Sequence, residues 1–372
     1  MESASNSITR RYIDLAFAIE KHVPGYVDAY VGPDEWKKVA VEKEKISPEE
    51  LFAEAKQLEH DVFDDCSLRA ERRKFFICQI AAMQGILRLV EGETMTLEEE
   101  TRKLFDVQPA WVDECIFRDA HQALDVLLPP GDSLIERMSA RRKSLRISVE
   151  QVKKIIPVII EHLRQLACAR YPLPEEETFE VVFVKDKPWS GYNWYLGNAR
   201  SRIEINTDLP FYINTLPALL AHEGYPGHHT ELSIKDRVLV KEKGWLENSI
   251  MLLYTPFSVI SEGIAMRAID QLMTKDEQVD FFVSVLYPLA GFKRAEARRE
   301  FEIDLVLRQL EGTSGNAAFM YHDRGASKDE IVAYLQRYAL DDSERAEKTV
   351  QFISQPYQSS YIFNYYYGLQ ML

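Results

Sequence analysis

Apolar positions through the first 170 residues recur at three- and four-residue spacing in nearly every window, a period that predicts a succession of helices. Ile13, Ala16, Phe17 and Ile19 form one such face, which stops at Pro24-Gly25. Ser47-Pro48-Glu49-Glu50 reads as a capped helix start with proline in its first turn. Phe75 to Val90 is apolar enough for a buried helix. Leu97 to Phe105 follows with Thr96 placed to cap it, and Trp111 to Leu128 runs on to Pro129-Pro130-Gly131. Ser148-Val149-Glu150 opens a long helix through Leu166, and Pro157 inside it predicts a kink.

Between Pro172 and Pro210 the period shortens. Phe179 to Val184 is β-rich, and Tyr192 to Leu196 pairs naturally with Ser201 to Asn206 across Gly197-Asn198, a dipeptide suited to a tight hairpin. Helical spacing returns at Leu216, entered through Asn214-Thr215. The predicted class is mainly α with a small antiparallel β-sheet. Residues 1–170 form a helical N-terminal region and 171–372 a second region that holds the candidate catalytic chemistry, two lobes of one continuous domain.

Composition narrows what such a chain can do. With 46% hydrophobic and 28% charged residues among 372, it reads as a soluble globular protein. Its 59 acidic against 45 basic residues, net −14, argue against a nucleic-acid partner. No apolar run nears the roughly 20 residues of a membrane span, so no membrane partner is expected. Met1 to Asn6 lacks the basic and apolar parts of a signal peptide, and Cys66, Cys78, Cys115 and Cys168 are far apart, so a cytoplasmic protein with reduced thiols is expected. The basic run Arg137 to Arg146 reads as a solvated face, and the single His22, His60, His121 and His162 as surface or satisfied core groups.

Chemistry concentrates in Ala221-His222-Glu223-Gly224-Tyr225-Pro226-Gly227-His228-His229-Thr230, which holds three of the eight histidines. That density points to a divalent metal, with Glu223 placed beside the first imidazole to act on metal-bound water. On an unbroken helix His222 and His228 would be separated by roughly 600° of rotation, so they could not share an ion. Pro226 and the flanking glycines supply a break. A bulge of two residues brings His228 to the second-ligand position; His229 is the alternative ligand, or serves behind the ligands or toward substrate. Glu262, on an apolar helix that begins near Pro256, is a candidate third ligand because an unpaired carboxylate there would be costly. Three such ligands leave a fourth position open, as in a catalytic zinc site with one Zn2+ per chain.

His-Glu-x-x-Pro-Gly-His-His, as it stands at 222–229, resembles the mark of the domain-of-unknown-function 885 family, placed among the zincin-like metallopeptidases. The likeness covers roughly the C-terminal half and implies a zincin-like metallopeptidase architecture. It matches Glu-Gly-x-Ala to 262–265, which supports Glu262 as ligand. It matches a His followed by Gly and a capped helix to His322, Gly325 and Ser327, which implies that His322 meets substrate or oxyanion. Tyr-x-x-Gly falls on Tyr365 to Gly368, which places the Tyr365 hydroxyl near a developing oxyanion. Zincin-like enzymes bind the substrate backbone on an edge strand before the metal helix, so Arg202, Glu204 and Asn206, with His229, become substrate-binding candidates. From the residues alone, His322 serves equally well as a helix-end cap, the hairpin as plain structure, and the aromatic tail first as core. Two departures stand out: Thr230-Glu231 replaces the family's apolar-Gln pair, and the chain is short.

The function expected is a zinc-dependent hydrolase, foremost a metallopeptidase on peptides or small amides. The alternatives are a metal-dependent amidase or esterase on a non-peptide substrate, or a non-catalytic metal binder; Glu223, which a mere binder does not need, favours a catalyst.

Overall fold

In the computed structural model, which describes residues 4–187, 189–293 and 297–372, the helical period of the N-terminal half becomes α1 (Ala4–Glu20), α2 (Pro48–Asp64), α3 (Ala70–Val90), α4 (Leu97–Phe105) and α5 (Val149–Arg170). Ser47, Thr96 and Ser148 each accept a hydrogen bond from the third residue of their helix, whose side chain reaches back to the cap, so the starts are fixed by reciprocal capping. The helix expected from Trp111 begins instead at Glu114, behind Asp113 as cap. Between it and α5 the basic run forms Leu134–Leu145, and that run is not wholly solvated. Arg141 is buried and paired with Glu300 at 2.5 Å and Asp304 at 2.6 Å.

The sheet corrects the expectation of a purely antiparallel one. β2 (Thr178–Val184), β3 (Gly191–Gly197) and β4 (Arg200–Asn206) lie in the order β2-β4-β3. β3 and β4 form the predicted hairpin, but β2 runs parallel to β4. Ile203 and Ile205 of β4 are fully buried, in keeping with that strand's place in the middle of the sheet. A second pairing crosses the chain, since β1 (Val27–Tyr30) is antiparallel to β5 (Ile250–Leu252).

The C-terminal half adds α6 (Leu216–Glu223), α7 (His228–Lys235), α8 (Pro256–Met266), α9 (Gly312–His322) and α10 (Phe363–Met371). From Pro288 to Leu310 the sequence alone reads as one helix carrying Arg294; the structure divides it, since Tyr287–Ala290 ends at left-handed Gly291 and Ala297–Leu307 follows, with Arg294 outside the described residues. Two large apolar cores result. One gathers residues of α1 to α4 with Ile250, Leu252, Val259 and Tyr361; the other joins α5 to Ile203, Ile205, Leu220 and Ala221. Residue 170 is therefore not a boundary between cores, because α5 packs with the sheet and with α6.

α8 and α10 meet backbone to backbone. A Cβ on Gly263 would stand 2.5 Å from the Gly368 carbonyl oxygen, and one on Gly368 would stand 2.6 Å from that of Val259. Only glycine at both positions permits this approach. Among the described residues no helix is long and apolar enough to cross a membrane.

Candidate metal centre

α6 is entered through Leu216-Pro217 and carries His222 and Glu223 in its last turn. There the backbone breaks. Gly227 N–H donates to the Ala221 carbonyl at 2.9 Å, six residues back instead of four, and Thr230 N–H reaches Gly224 in the same way at 3.4 Å. Two residues are thus looped out, as the spacing of the ligands requires. Gly227 is obligatory at this point, since a Cβ would fall 1.9 Å from the His222 carbonyl oxygen. α7 then starts at His228, and the His222 and His228 rings lie 4.8 Å apart at 87°.

Glu262, buried on α8, completes the group. Its Oε2 is 3.4 Å from His222 Nε2 and 3.9 Å from His228 Nε2, and one atom from each of the three residues lies within 4.8 Å of the others. A tetrahedral zinc with bonds of about 2.0–2.1 Å sets its ligand atoms about 3.3 Å apart, so these residues fit one ion with small adjustment. The same Oε2 is buried without a hydrogen bond. Protonation differs between the two rings: burial would lower His222, yet Glu262 and Glu223 raise it above the ordinary imidazole value. His228 is pushed down to about 4 by burial and then by His222, so its ring is neutral. Burial would raise Glu262, yet His222, His228 and Tyr361 hold it below the ordinary carboxylate value.

Two of the three candidate ligands are held from behind. Ser261 Oγ donates to Glu231 Oε2 at 2.6 Å, and so it accepts from His228 Nδ1, 3.2 Å away; that leaves the Nε2 lone pair toward Glu262. Glu231, one of the two departures from the family pattern, therefore orients His228 through a hydroxyl. Tyr361 donates to Glu262 Oε1 at 2.9 Å. Asn193 Nδ2 donates to the Glu223 carbonyl at 2.6 Å. Glu223 itself is pushed up to about 7: burial is the largest cause, His222 opposes it, and Glu262 and Asp28 add to it.

His229 turns the other way. It is fully buried with Nδ1 2.8 Å from Ser201 Oγ and Nε2 3.0 Å from Glu177 Oε2, so both nitrogens are engaged away from the ligand group. Glu177 also accepts from Arg164 and Tyr225. Of the two readings left open for the double histidine, the geometry brings His228 to the ligand group and makes His229 a link between helix and sheet.

A cavity of about 890 Å³ opens in front of His222, Glu223, His228 and Glu262, and Tyr365 lies in its wall. Burial raises the Tyr365 hydroxyl's pKa, and Glu262 and Glu223 raise it further, so it stays protonated as a donor. Other sequence candidates sit elsewhere. Arg202, Glu204 and Asn206 are on the middle strand and do not line the cavity; Arg202 pairs with Glu180, and Asn206 donates to the carbonyls of Lys187 and Trp189. The edge facing the cavity is β3. Ser190 accepts from Asn206 N–H, so pairing falls on alternate residues and the backbone groups of Gly191 and Asn193, both lining the cavity, point away from β4. His322 also lies outside the lining, with Nε2 3.3 Å from Glu100 and Nδ1 2.9 Å from Asp323.

Sequence reasoning missed Tyr361, Ser261, Glu231 and Asp28. The first three adjoin recognised motifs, and Glu231, three residues after His228, lies on the same helix face. Asp28 carries no local signal.

No family model matches the chain, and no curated protein does. Among solved structures it is similar to the "putative lipoprotein from Colwellia psychrerythraea", at 13% identity over 86% of this chain and 58% of that one, with a TM-score of 0.51. Similarity to the "putative lipoprotein of unknown function from Shewanella oneidensis" is 14% identity over 87% and 65%, with a TM-score of 0.44. The chain spans less than two thirds of either neighbour. The first likeness shows a shared fold and carries no chemistry.

Proposed function

We propose that the chain is a zinc-dependent hydrolase of zincin-like architecture, a metallopeptidase acting on short peptides. The observation that carries this reading is the convergence of His222, His228 and Glu262 Oε2, an orphaned buried oxygen, on one cavity wall with Glu223 directly after the first ligand. Zinc held by these three residues would supply Lewis acidity to a peptide carbonyl and to water. Glu223, balanced near neutrality, takes a proton from the attacking water and passes it to the leaving amine. The Tyr365 hydroxyl donates to the oxygen on which negative charge develops. The free edge of β3 pairs with the substrate backbone through Gly191 and Asn193. We propose a cytoplasmic location, on four free cysteines of which three are exposed.

The test joins metal analysis to turnover. Purified protein should hold one zinc per chain and cleave members of a mixed peptide library read by mass spectrometry, and His222→Ala should lose the zinc. Glu223→Gln should keep zinc while hydrolysis falls by roughly 10²–10⁴-fold. Full activity in the Glu223→Gln protein would overturn the mechanism, and tight zinc in the His222→Ala protein would overturn the site.

A further inference from the structure

Charge in the cavity is lopsided. Its described lining residues include the carboxylates Asp28, Glu223, Glu262 and Glu311 and, apart from the imidazoles of His222 and His228, a single basic side chain, Arg308. Arg308 is already matched, 2.6 Å from Asp270 and within the field of Glu311. A substrate's terminal carboxylate therefore meets no free cation among these residues. Glu223 and Glu262 belong to the centre described above, which leaves Asp28.

The backbone places Asp28 deliberately. Val27 pairs with Leu252 and Ala29 with Met251, so Asp28 is the extra residue of a bulge, a device that re-aims a side chain beside a site. Its carboxylate accepts from the Tyr192 hydroxyl. Tyr192 in turn packs against Trp189 and Trp194, with ring centroids 4.8 and 4.7 Å away, and neither indole N–H has a hydrogen-bond partner. Lys187 Nζ already lies 5.3 Å from the Trp189 ring, and a carboxylate that lines the same cavity as these rings can recognise an ammonium group by a charge-assisted hydrogen bond and by attraction to the rings.

We propose that Asp28, with Tyr192, Trp189 and Trp194, forms an ammonium-binding subsite that seats the free amino end of the substrate. The proposal deepens the peptidase reading and rests on it for the identity of the substrate as a peptide. Such a site selects unblocked short peptides over internal segments and is indifferent to the carboxyl end.

Two measurements on the purified 372-residue chain test it. Calorimetric titration compares L-leucinamide with N-acetyl-L-leucinamide, and kcat/KM is compared for one peptide in free, N-acetylated and C-amidated forms. Leucinamide should bind and its acetylated form should bind roughly 10- to 100-fold more weakly, as expected for losing a hydrogen bond to a charged group. The same preference should appear in kcat/KM, amidation should matter little, and Asp28→Asn, which is isosteric, should erase the preference in both assays while zinc content is kept. Equal binding of the two amides, absence of leucinamide binding, or a preference that survives Asp28→Asn overturns the subsite. Cleavage of free and acetylated peptides alike would remove the subsite and leave the peptidase standing; Asp28-dependent leucinamide binding without any cleavage would do the reverse.

Discussion

Tyr361 donates its hydroxyl to Glu262 Oε1 at 2.9 Å, and this one bond decides which carboxylate oxygen is left for His222 and His228. With Oε1 engaged, Oε2 is the oxygen that faces the two imidazoles, buried and without a hydrogen bond. Tyr361→Phe keeps the ring in its aromatic contacts with Phe105, Tyr254 and Tyr365 and removes only the donor. Zinc affinity, measured by competition with a chelator, should fall by about 10- to 100-fold, the usual effect of losing a group that holds a ligand. Unchanged affinity would mean that Glu262 is not a ligand, or that its orientation is set elsewhere.

The same carboxylate depends on a contact that involves no side chain at all. Gly368→Ala puts a methyl group 2.6 Å from the Val259 carbonyl oxygen, and the rigid backbone of α8 has to move away from α10. Overpacking of this kind costs about 1–3 kcal/mol. A lowered melting temperature should therefore accompany weaker zinc binding, since Glu262 rides on α8. A variant as stable as the parent would show that the two helices can separate freely.

How far the chain could be read from its sequence follows the range of the interactions concerned. Capping at Ser47, Thr96 and Ser148 is settled within three residues, so those helix starts were legible. The break at Gly224 to Gly227 was legible too, because proline, glycine and ligand geometry conflict with a continuous helix over ten residues. Asp28 was not, for its place depends on β1 finding β5 more than 200 residues away and on a bulge in that pairing. The parallel step between β2 and β4 was hidden for a similar reason: alternation in β4 shows which face is buried and says nothing about which neighbours pair with it. In the aromatic tail, spacing could not tell whether Tyr361 or Tyr365 bonds to Glu262; in the folded chain it is Tyr361, from the short helix before α10. His322 was placed by motif likeness alone, and a motif carries order along the chain without the direction in which the side chain points.

His322 gives a test of the fold that does not involve the metal. Its hydrogen bond to Glu100 is the largest cause raising its pKa above the ordinary 6.5; burial opposes, and Asp323 adds. A raised value in the folded state means that folding tightens proton binding. The stabilisation is fully present below about pH 6.5 and is lost as pH rises through the raised folded value. The difference in melting temperature between the parent and His322→Gln should accordingly be larger near pH 5.5 than near pH 8.5. An equal difference at both would show that the pair does not act through charge.

The adjacent histidines 228 and 229 should respond in opposite ways to the same substitution. His228→Ala removes Nε2 from the group that includes Glu262, and it leaves Ser261 and Glu231 bonded to each other, so the fold should survive while zinc is lost. His229→Ala takes away a fully buried ring that joins Glu177 to Ser201 and leaves a hole between α7 and the sheet. Glu177 keeps Arg164 and Tyr225, so its charge is not stranded, and the cost should be about 1–3 kcal/mol. Zinc content by elemental analysis, read beside thermal melting, separates the two roles. A stable, zinc-free His229→Ala protein together with a zinc-bound His228→Ala protein would exchange the assignments, and the looped-out pair of residues would then need another explanation.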